Sequence, residues 1–417
     1  MSHHTVDADS RKDIVIIGAG IIGCSTALYL TRHPSFSSST TIKVIEASRH
    51  GPAQGASGKA GGLVAKWAYP KELSAISFAE HVKLAQEYNG KDLWGWRFVG
   101  CGSWEGKGAV VSAEESGTGA GAGGQRKSLE KTLGLDGDRK RDPVSRKRKG
   151  LPDNLLWVDE NLTKSYSPMA PDGDTAQVHP FQFTTSMMHL AAEKGAQLIS
   201  GRVTKLNISE GKINGVTFTH PNSELSQTLS ASHVIITAGA WSPSILPTLP
   251  ISATRAHSIT IHPQPSVTIS PYVLFTEIKL PGHRGLIVSP EIYARPDNEV
   301  YACGPGDDSL LPESVDDVLV DQTACESIRK HVSSISPELQ HGVVDKRQAC
   351  FLPAVNTGGG PIIGAASQIA QGLFIATGHT CWGICNAPGT AKALSEIIME
   401  GRIQCADLRK LDPSNYL

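Results

Sequence analysis

The sequence predicts an α/β fold: a parallel-sheet, nucleotide-binding unit joined to an antiparallel β-rich unit. Three observations carry this. Asp13-Ile-Val-Ile-Ile-Gly18 reads as a buried parallel strand that runs directly into a glycine-rich turn. Cys24 to His33 then reads as a helix stopped by Pro34, and a second strand, Ile42-Lys43-Val44-Ile45, ends at Glu46, which completes a βαβ start. From 255 to 303, β-rich runs separated by Pro and Gly indicate an antiparallel sheet.

The 417 residues are enough for roughly two to three domains and a sizeable core. A net charge of -1 excludes a general nucleic-acid binder, which needs a broad excess of Lys and Arg. The eight cysteines form no CxxC pair and no zinc-like cluster, which fits a reduced, cytoplasmic compartment. Cys381 and Cys385 would share one side of a helix or sit in a turn, with packing as their role. The polar stretch Met1 to Asp13 does not read as a signal peptide, and Ser414 to Leu417 is not the usual peroxisomal tripeptide. The uncharged run Ile14 to Leu30 is 17 residues, short for a bilayer, and its three glycines suit a strand and packed helix better. No integral membrane segment is expected.

Further along, residues 106–150 hold ten glycines, and 126–149 hold ten Lys/Arg against four Asp/Glu. Such a segment buries too little apolar surface to offset its ordering entropy, so it reads as a flexible surface insertion. Its basic cluster, Arg139-Lys140-Arg141 with Arg146 to Lys149, reads as a solvated loop or as an address for the nucleus or an anionic surface. Helices are expected from Phe183 to Lys194, Val318 to Ser333 and about Pro388 to Glu400. Strands are expected at Gln197–Ser200, Val203–Ile208, Ile213–Thr219, His233–Ala238 and Leu373–Ala376.

Gly18-x-Gly20-x-x-Gly23, between strand and helix, is the dinucleotide fingerprint of a Rossmann-type unit. Gly18 permits the tight turn, Gly20 lets backbone approach a pyrophosphate, and Gly23 lets helix and strand pack closely. The helix start at Ile21 and Ile22 offers free N–H groups and a positive dipole end to the phosphates. Glu46, 23 residues past Gly23, can accept hydrogen bonds from ribose hydroxyls and disfavours a 2′-phosphate. The fingerprint alone does not separate NAD from FAD. Near the other end, Leu373 to Pro388 reads as a strand, a Gly-rich turn and a helix start. A helix N-terminus there would stabilise the charge a flavin gains on reduction, or the segment is ordinary strand-turn-helix packing.

The combination resembles the D-amino-acid oxidase/glycine oxidase/sarcosine oxidase superfamily of FAD-dependent oxidoreductases, most like a fungal branch of it. Four motifs carry the resemblance: Gly18 to Gly23 with Glu46, Ala56-Ser-Gly-Lys-Ala-Gly-Gly62, Val234-Ile-Ile-Thr-Ala-Gly-Ala-Trp-Ser242, and Gly378-His379 with Trp382-Gly383 and Ala387-Pro388. Gln348 to Pro353 adds to the fungal likeness. The resemblance implies a Rossmann-type FAD-binding domain with an interleaved antiparallel β-rich substrate domain. It allots 1–78, 179–245 and 345–417 to the former, and 79–178, with the insertion, and 246–344 to the latter. It implies that Ser57, Gly58, Lys59, Ala60, Gly61 and Gly62 lie along the pyrophosphate and flavin ring, and that the backbone of Val203 meets adenine. Ala238, Gly239 and Trp241 would lie at the strand end beneath the dinucleotide.

It also implies oxidation of the C–N bond of an amine or amino-acid-like small molecule, with hydride passing to flavin N5. His379 and Trp382 are the residues expected to line the flavin site, against a core-packing role for each. There are departures. Cys350-Phe-Leu-Pro353 stands where the amino-acid oxidases have a carboxylate-clamping arginine, which puts a simple α-amino acid substrate in doubt; Arg255, Arg284 and Arg295 are substitutes or structural arginines. Tyr301 falls where the sarcosine oxidase branch has an oxygen-activating lysine, so oxygen need not be the acceptor. Cys350 stands about where that branch bonds its flavin covalently, or packs as a small hydrophobe. The alternative function is an FAD-binding protein with little turnover, serving as an interaction or trafficking component; an NAD-dependent dehydrogenase is a third. No protein partner can be read from the sequence.

Overall fold

The computed structural model describes residues 11–110, 147–220, 225–282 and 285–417. β1 (Lys12–Ile17), α1 (Ile21–Arg32) and β2 (Thr40–Glu46) form the expected βαβ start. β1 is central in its sheet. It runs parallel to β2, with Ile16 opposite Val44, and to the His233–Ile236 strand, with Ile16 opposite Ile235. Burial on both faces explains its unbroken apolar sequence. The Gln197–Ser200 strand extends the sheet beyond β2. On the other side come Leu373–Thr377 and, antiparallel to it, Ile362–Ala365.

α1 begins inside the fingerprint and is buried nearly throughout, packed against the Pro180–Glu193 and Gly383–Glu400 helices. The uncharged run Ile14–Leu30 is therefore interior strand and helix. No helix among the described residues is long and apolar enough to cross a membrane. Gly18 holds φ +102°, and a Cβ on Gly23 would stand 2.0 Å from the Gly18 carbonyl oxygen. Only glycine permits that turn and that contact.

A larger sheet takes the β-rich region. Its strands, in spatial order, are Val343–Val355, Ile251–His262, Val300–Asp307, Glu291–Ala294, Tyr272–Lys279, Gly100–Lys107 and Thr163–Pro168. It is not wholly antiparallel as expected. Tyr272–Lys279 and Gly100–Lys107 pair parallel, which their wide sequence separation allows because the chain between them provides the crossover.

Several expected boundaries shift. The insertion does not begin at 106: the strand runs through Lys107, and the Gly108 and Ala109 N–H groups donate to Lys279 O and Ser334 O at 3.0 and 2.7 Å. Most of the insertion, with all of the basic cluster up to Arg146, lies outside the described residues. The domain limits placed at 78 and 344 fall inside the Lys71–Glu87 helix and inside the Val343–Val355 strand. The helix expected from Val318 begins at Gln322, because Asp321 caps it by accepting from the Thr323 and Ala324 N–H groups at 2.8 and 3.2 Å.

The last helix is the informative difference. It starts at Gly383, with Pro388 inside it. Pro388 has no N–H for the Ile384 carbonyl. His81 supplies the missing donor: its Nε2 lies 3.0 Å from Ile384 O and 3.2 Å from Cys385 O. Two carbonyl acceptors require the proton on Nε2. Ser77 does the rest, accepting from the Gly389 N–H at 3.1 Å and donating to Asn386 O at 3.2 Å. Ser77→Ala strands a buried N–H and is expected to cost about 2 kcal/mol, read as a lower urea midpoint with an unchanged slope.

Candidate functional site

A cavity of about 890 Å³ opens at the carboxyl ends of β1, β2 and the His233–Ile236 and Leu373–Thr377 strands. That is where open α/β sheets bind ligands. The β1–α1 turn forms its floor. A Cβ on Gly20 would meet nothing closer than Ser57 Oγ at 3.0 Å, so the backbone lies open to the cavity. The Ser57 hydroxyl accepts from the Ile21 N–H at 2.9 Å, at the start of α1. Glu46 braces the turn. Its carboxyl accepts from the Ala19 N–H at 2.7 Å and the Ser48 N–H at 2.8 Å. Burial raises its pKa against the pull of those donors.

Ala238, Gly239 and Trp241 form the facing wall; Gly239 holds φ +54° and a Cβ there would touch nothing within 4 Å. Val203 lines the end near Glu46, with Arg202 and His220. Gly378, His379, Gly383 and Ile384 line the other end. His379 is 4% exposed, its Nε2 lies 3.0 Å from Thr390 Oγ1, and burial drives its pKa down to about 3, so it is neutral. Gly18, Ile21 and Ile22 also line the cavity.

Other expected residues do not. Gly23 packs α1 on β1. Ser57 lines the cavity, but Gly58 to Gly62 turn to the protein. A Cβ on Gly58 or Gly62 would stand 2.1 Å from Ala53 O or 2.0 Å from Val178 O. Lys59 Nζ donates to Ala349 O at 3.1 Å, and Arg295 donates to the carbonyls of Ala60 and Gly61. This stretch ties the nucleotide sheet to the large sheet. Trp382 stands behind the cavity wall, edge-on to Trp67 with ring centres 5.8 Å apart.

The arginines are engaged. Arg295 pairs with Glu299 at 2.7 Å and Arg255 with Asp307 at 3.1 Å; Arg284 lies outside the described residues. Tyr301 is buried, with the Arg295 guanidinium 4.6 Å from its ring centre. Cys350 is buried beside the cavity without lining it, and burial pushes its thiol up to about 11 despite Lys59 nearby. A protonated thiol is the weaker nucleophile, which favours the packing role over attachment to a flavin.

Sequence reasoning missed a strap, Glu313 to Asp317, that closes the Glu46 end. Trp241 Nε1 donates to Pro312 O at 2.8 Å, Ser48 Oγ to Asp316 Oδ1 at 2.5 Å, and the Arg49 N–H to Asp316 Oδ2 at 3.0 Å. Three acids in a five-residue strap carry no motif; only folding brings them to the fingerprint.

With this geometry in view, the chain matches the family described as FAD dependent oxidoreductase, DAO, over residues 13–397, and it belongs to that family. FAD is its cofactor. Two fungal relatives span it nearly end to end. It is 34% identical to the putative oxidoreductase TDA3 of Saccharomyces cerevisiae, over 98% of this chain and 96% of that one. It is 31% identical to the putative oxidoreductase C1F5.03c of Schizosaccharomyces pombe, over 98% and 99%. Among solved structures, iminodiacetate oxidase from Chelativorans sp. BNC1 aligns at 21% identity and TM-score 0.68, covering 96% of this chain and 98% of that one. That likeness shows the fold. The cavity fits the cofactor: a backbone cradle that a side chain at Gly20 or Gly239 would obstruct, a helix N-terminus, and a carboxyl at a strand end.

Two outcomes follow. Gly20→Val is expected to purify largely without flavin, and Asp316→Ala to raise the FAD dissociation constant about tenfold, both read from flavin absorbance after dialysis. The second concerns pH. His81 and His379 are held neutral, at about 4 and about 3, while each titrates near 6.5 when unfolded. As pH falls, the unfolded chain therefore takes up protons first. The stability gained by neutrality is complete above 6.5 and is lost on acidification, by about 2 kcal/mol per histidine between about pH 7 and about pH 5. Urea midpoints at the two pH values measure it.

Proposed function

We propose that this FAD-dependent oxidoreductase oxidises the C–N bond of an amine or amino-acid-like small molecule, taking a hydride from the carbon that bears nitrogen. The carrying observation is the helix that starts at Gly383: its first residues line one end of the cavity, so its positive end faces the cofactor. Bound FAD supplies the two-electron acceptor, whose reduced form is anionic and favoured by such a helix end.

The chain's own residues divide the work. The Gly18–Gly23 turn and the first N–H groups of α1 hold the pyrophosphate, with the Ser57 hydroxyl beside them. Glu46 holds a ribose, and the backbone at Val203 meets adenine. Ala238, Gly239 and Trp241 wall the middle. Gly378, His379 and Gly383 bound the redox end, where neutral His379 adds no competing positive charge. The nitrogen sheds its proton before the hydride leaves, so the neutral amine reacts, and no side-chain base is assigned. The resulting imine hydrolyses in water. The neighbour named iminodiacetate oxidase supports an amine substrate.

Purified protein is expected to be yellow, and mixing it anaerobically with a panel of amines and amino acids should bleach the flavin with at least one of them. A flavin-loaded protein that no amine bleaches overturns the oxidation and leaves an FAD-binding protein of little turnover.

A further inference from the structure

The charged side chains that line the cavity gather at its Glu46 end. Among the described residues they are Glu46, Arg49, Arg202 and the strap acids Glu313, Asp316 and Asp317, joined through Ser48 and the Arg202–Glu313 pair. The lining from Gly378 to Ile384 carries no charged side chain, since burial holds His379 neutral. Charge that develops at that end on reduction of the cofactor therefore meets neutral donors: the first N–H groups of the Gly383–Glu400 helix and whatever His379 presents.

The backbone fixes the His379 ring. Its carbonyl accepts from the Trp382 N–H at 3.0 Å and the Thr380 hydroxyl at 2.8 Å. Thr380 holds φ +52°, a left-handed conformation that a β-branched residue adopts only at a cost. That turn lays the His379 Cβ against the helix start, where a Cβ on Gly383 would stand 3.7 Å from it. Thr390 lies two helical turns on, along the same face as Gly383. Its Oγ1 stands 3.0 Å from His379 Nε2; it is fully buried and does not line the cavity. Among the described residues the Thr390 hydroxyl has no other partner. A proton on Nε2 would leave the hydroxyl hydrogen buried and unused, whereas a hydroxyl that donates to Nε2 strands no hydrogen. A neutral ring whose Nε2 accepts carries its proton on Nδ1. Nδ1 has no partner among the described residues, and unlike His81 Nδ1 it is not sealed from open space. The open space that His379 borders is the cavity.

We propose that His379 donates its Nδ1–H to the acceptor of the flavin ring that gains charge on reduction, and that Thr390 is the positioning residue that fixes this tautomer. The proposal rests on the reading that puts the flavin ring at this end of the cavity, and not on the identity of the amine. A hydrogen bond to a charged acceptor is stronger than one to a neutral acceptor, so the donor favours the reduced cofactor. It does so without a cation, which suits a cavity whose arginines stand at the other end.

The test uses full-length, FAD-loaded protein without substrate. It reads the midpoint potential of the bound flavin against a reference dye, and its affinity for sulfite, which adds to the ring and leaves a negative charge on it. His379→Leu is expected to weaken sulfite binding about tenfold and to lower the potential by about 30 mV, the two-electron equivalent of tenfold. His379→Asn, whose amide nitrogen stands near the place of Nδ1, should recover most of both, and His379→Gln, which reaches toward Thr390 instead, should not. A packing role predicts the reverse order, with Leu the mildest change. Should the His379 variants fail to hold flavin, Thr390→Val keeps the side-chain shape outside the cavity, removes the hydroxyl, and should shift both readings the same way by about threefold, with Thr390→Ser near wild type. Readings unchanged in His379→Leu, or Asn no better than Leu, overturn the donor; a Thr390→Val protein indistinguishable from wild type overturns the positioning role. A changed flavin absorbance with both readings unchanged overturns the donor and leaves the ring at this end; no change in any of the three removes both. If amines bleach the flavin while His379→Leu matches wild type, this inference fails and the oxidation stands. If the readings shift as expected while no amine bleaches the flavin, the oxidation fails and the donor stands.

Discussion

The contact between Gly23 and the carbonyl of Gly18 sets the position of everything else around the cavity. A helix can follow β1 so abruptly only if its first turn lies directly on the strand end, and a single methyl group at Gly23 would prevent it. Thr237 locks the arrangement from the neighbouring strand: its hydroxyl sits between the carbonyls of Ile17 and Gly18, at 2.9 and 3.0 Å. With the turn held there, the Ala19 N–H points at Glu46, and the start of α1 faces the cavity. Strand order, turn and acid are thus one constraint expressed three times.

The opposite end of the cavity is held by a different device. A proline in the second turn of the last helix should shorten it, yet His81 and Ser77, reaching from a neighbouring helix, satisfy the backbone groups that Pro388 displaces. The helix gains five residues at its start and brings its N-terminus to the redox end. Burial holds His81 neutral, so the same burial that builds the site makes the protein sensitive to acid.

Between these ends, polar contacts join the two sheets in addition to a shared apolar core. Arg295 holds the carbonyls of Ala60 and Gly61, Lys59 holds Ala349 O, and Asp316 holds Ser48 and Arg49. Each joins the large sheet, or the strap beside it, to the segments that follow the fingerprint. A buried arginine that is already paired with Glu299 can order a backbone strap but is not available to a substrate carboxylate.

Local patterns were enough for the nucleotide-binding start, because the fingerprint, its flanking strand and helix and Glu46 all act within one supersecondary unit whose physics is short-range; the cofactor class and the family came from the resemblance that four motifs spread along the chain carry together. The same pattern marked Gly20 as a cavity residue, while Val203, Gly239 and His379, which also line the cavity, were expected from the family resemblance. Tertiary structure decided the rest. Gly58 to Gly62 face the large sheet instead of the cavity because partners distant in sequence, Val178, Ala349 and Arg295, claim them. The last helix starts at Gly383 because His81 lies beside it, not because of any residue within it. The Asp316 strap joins residues that share no sequence period, and such an encounter depends on which faces the two sheets present to each other. A sequence records each face separately; their contact exists only once the chain has folded.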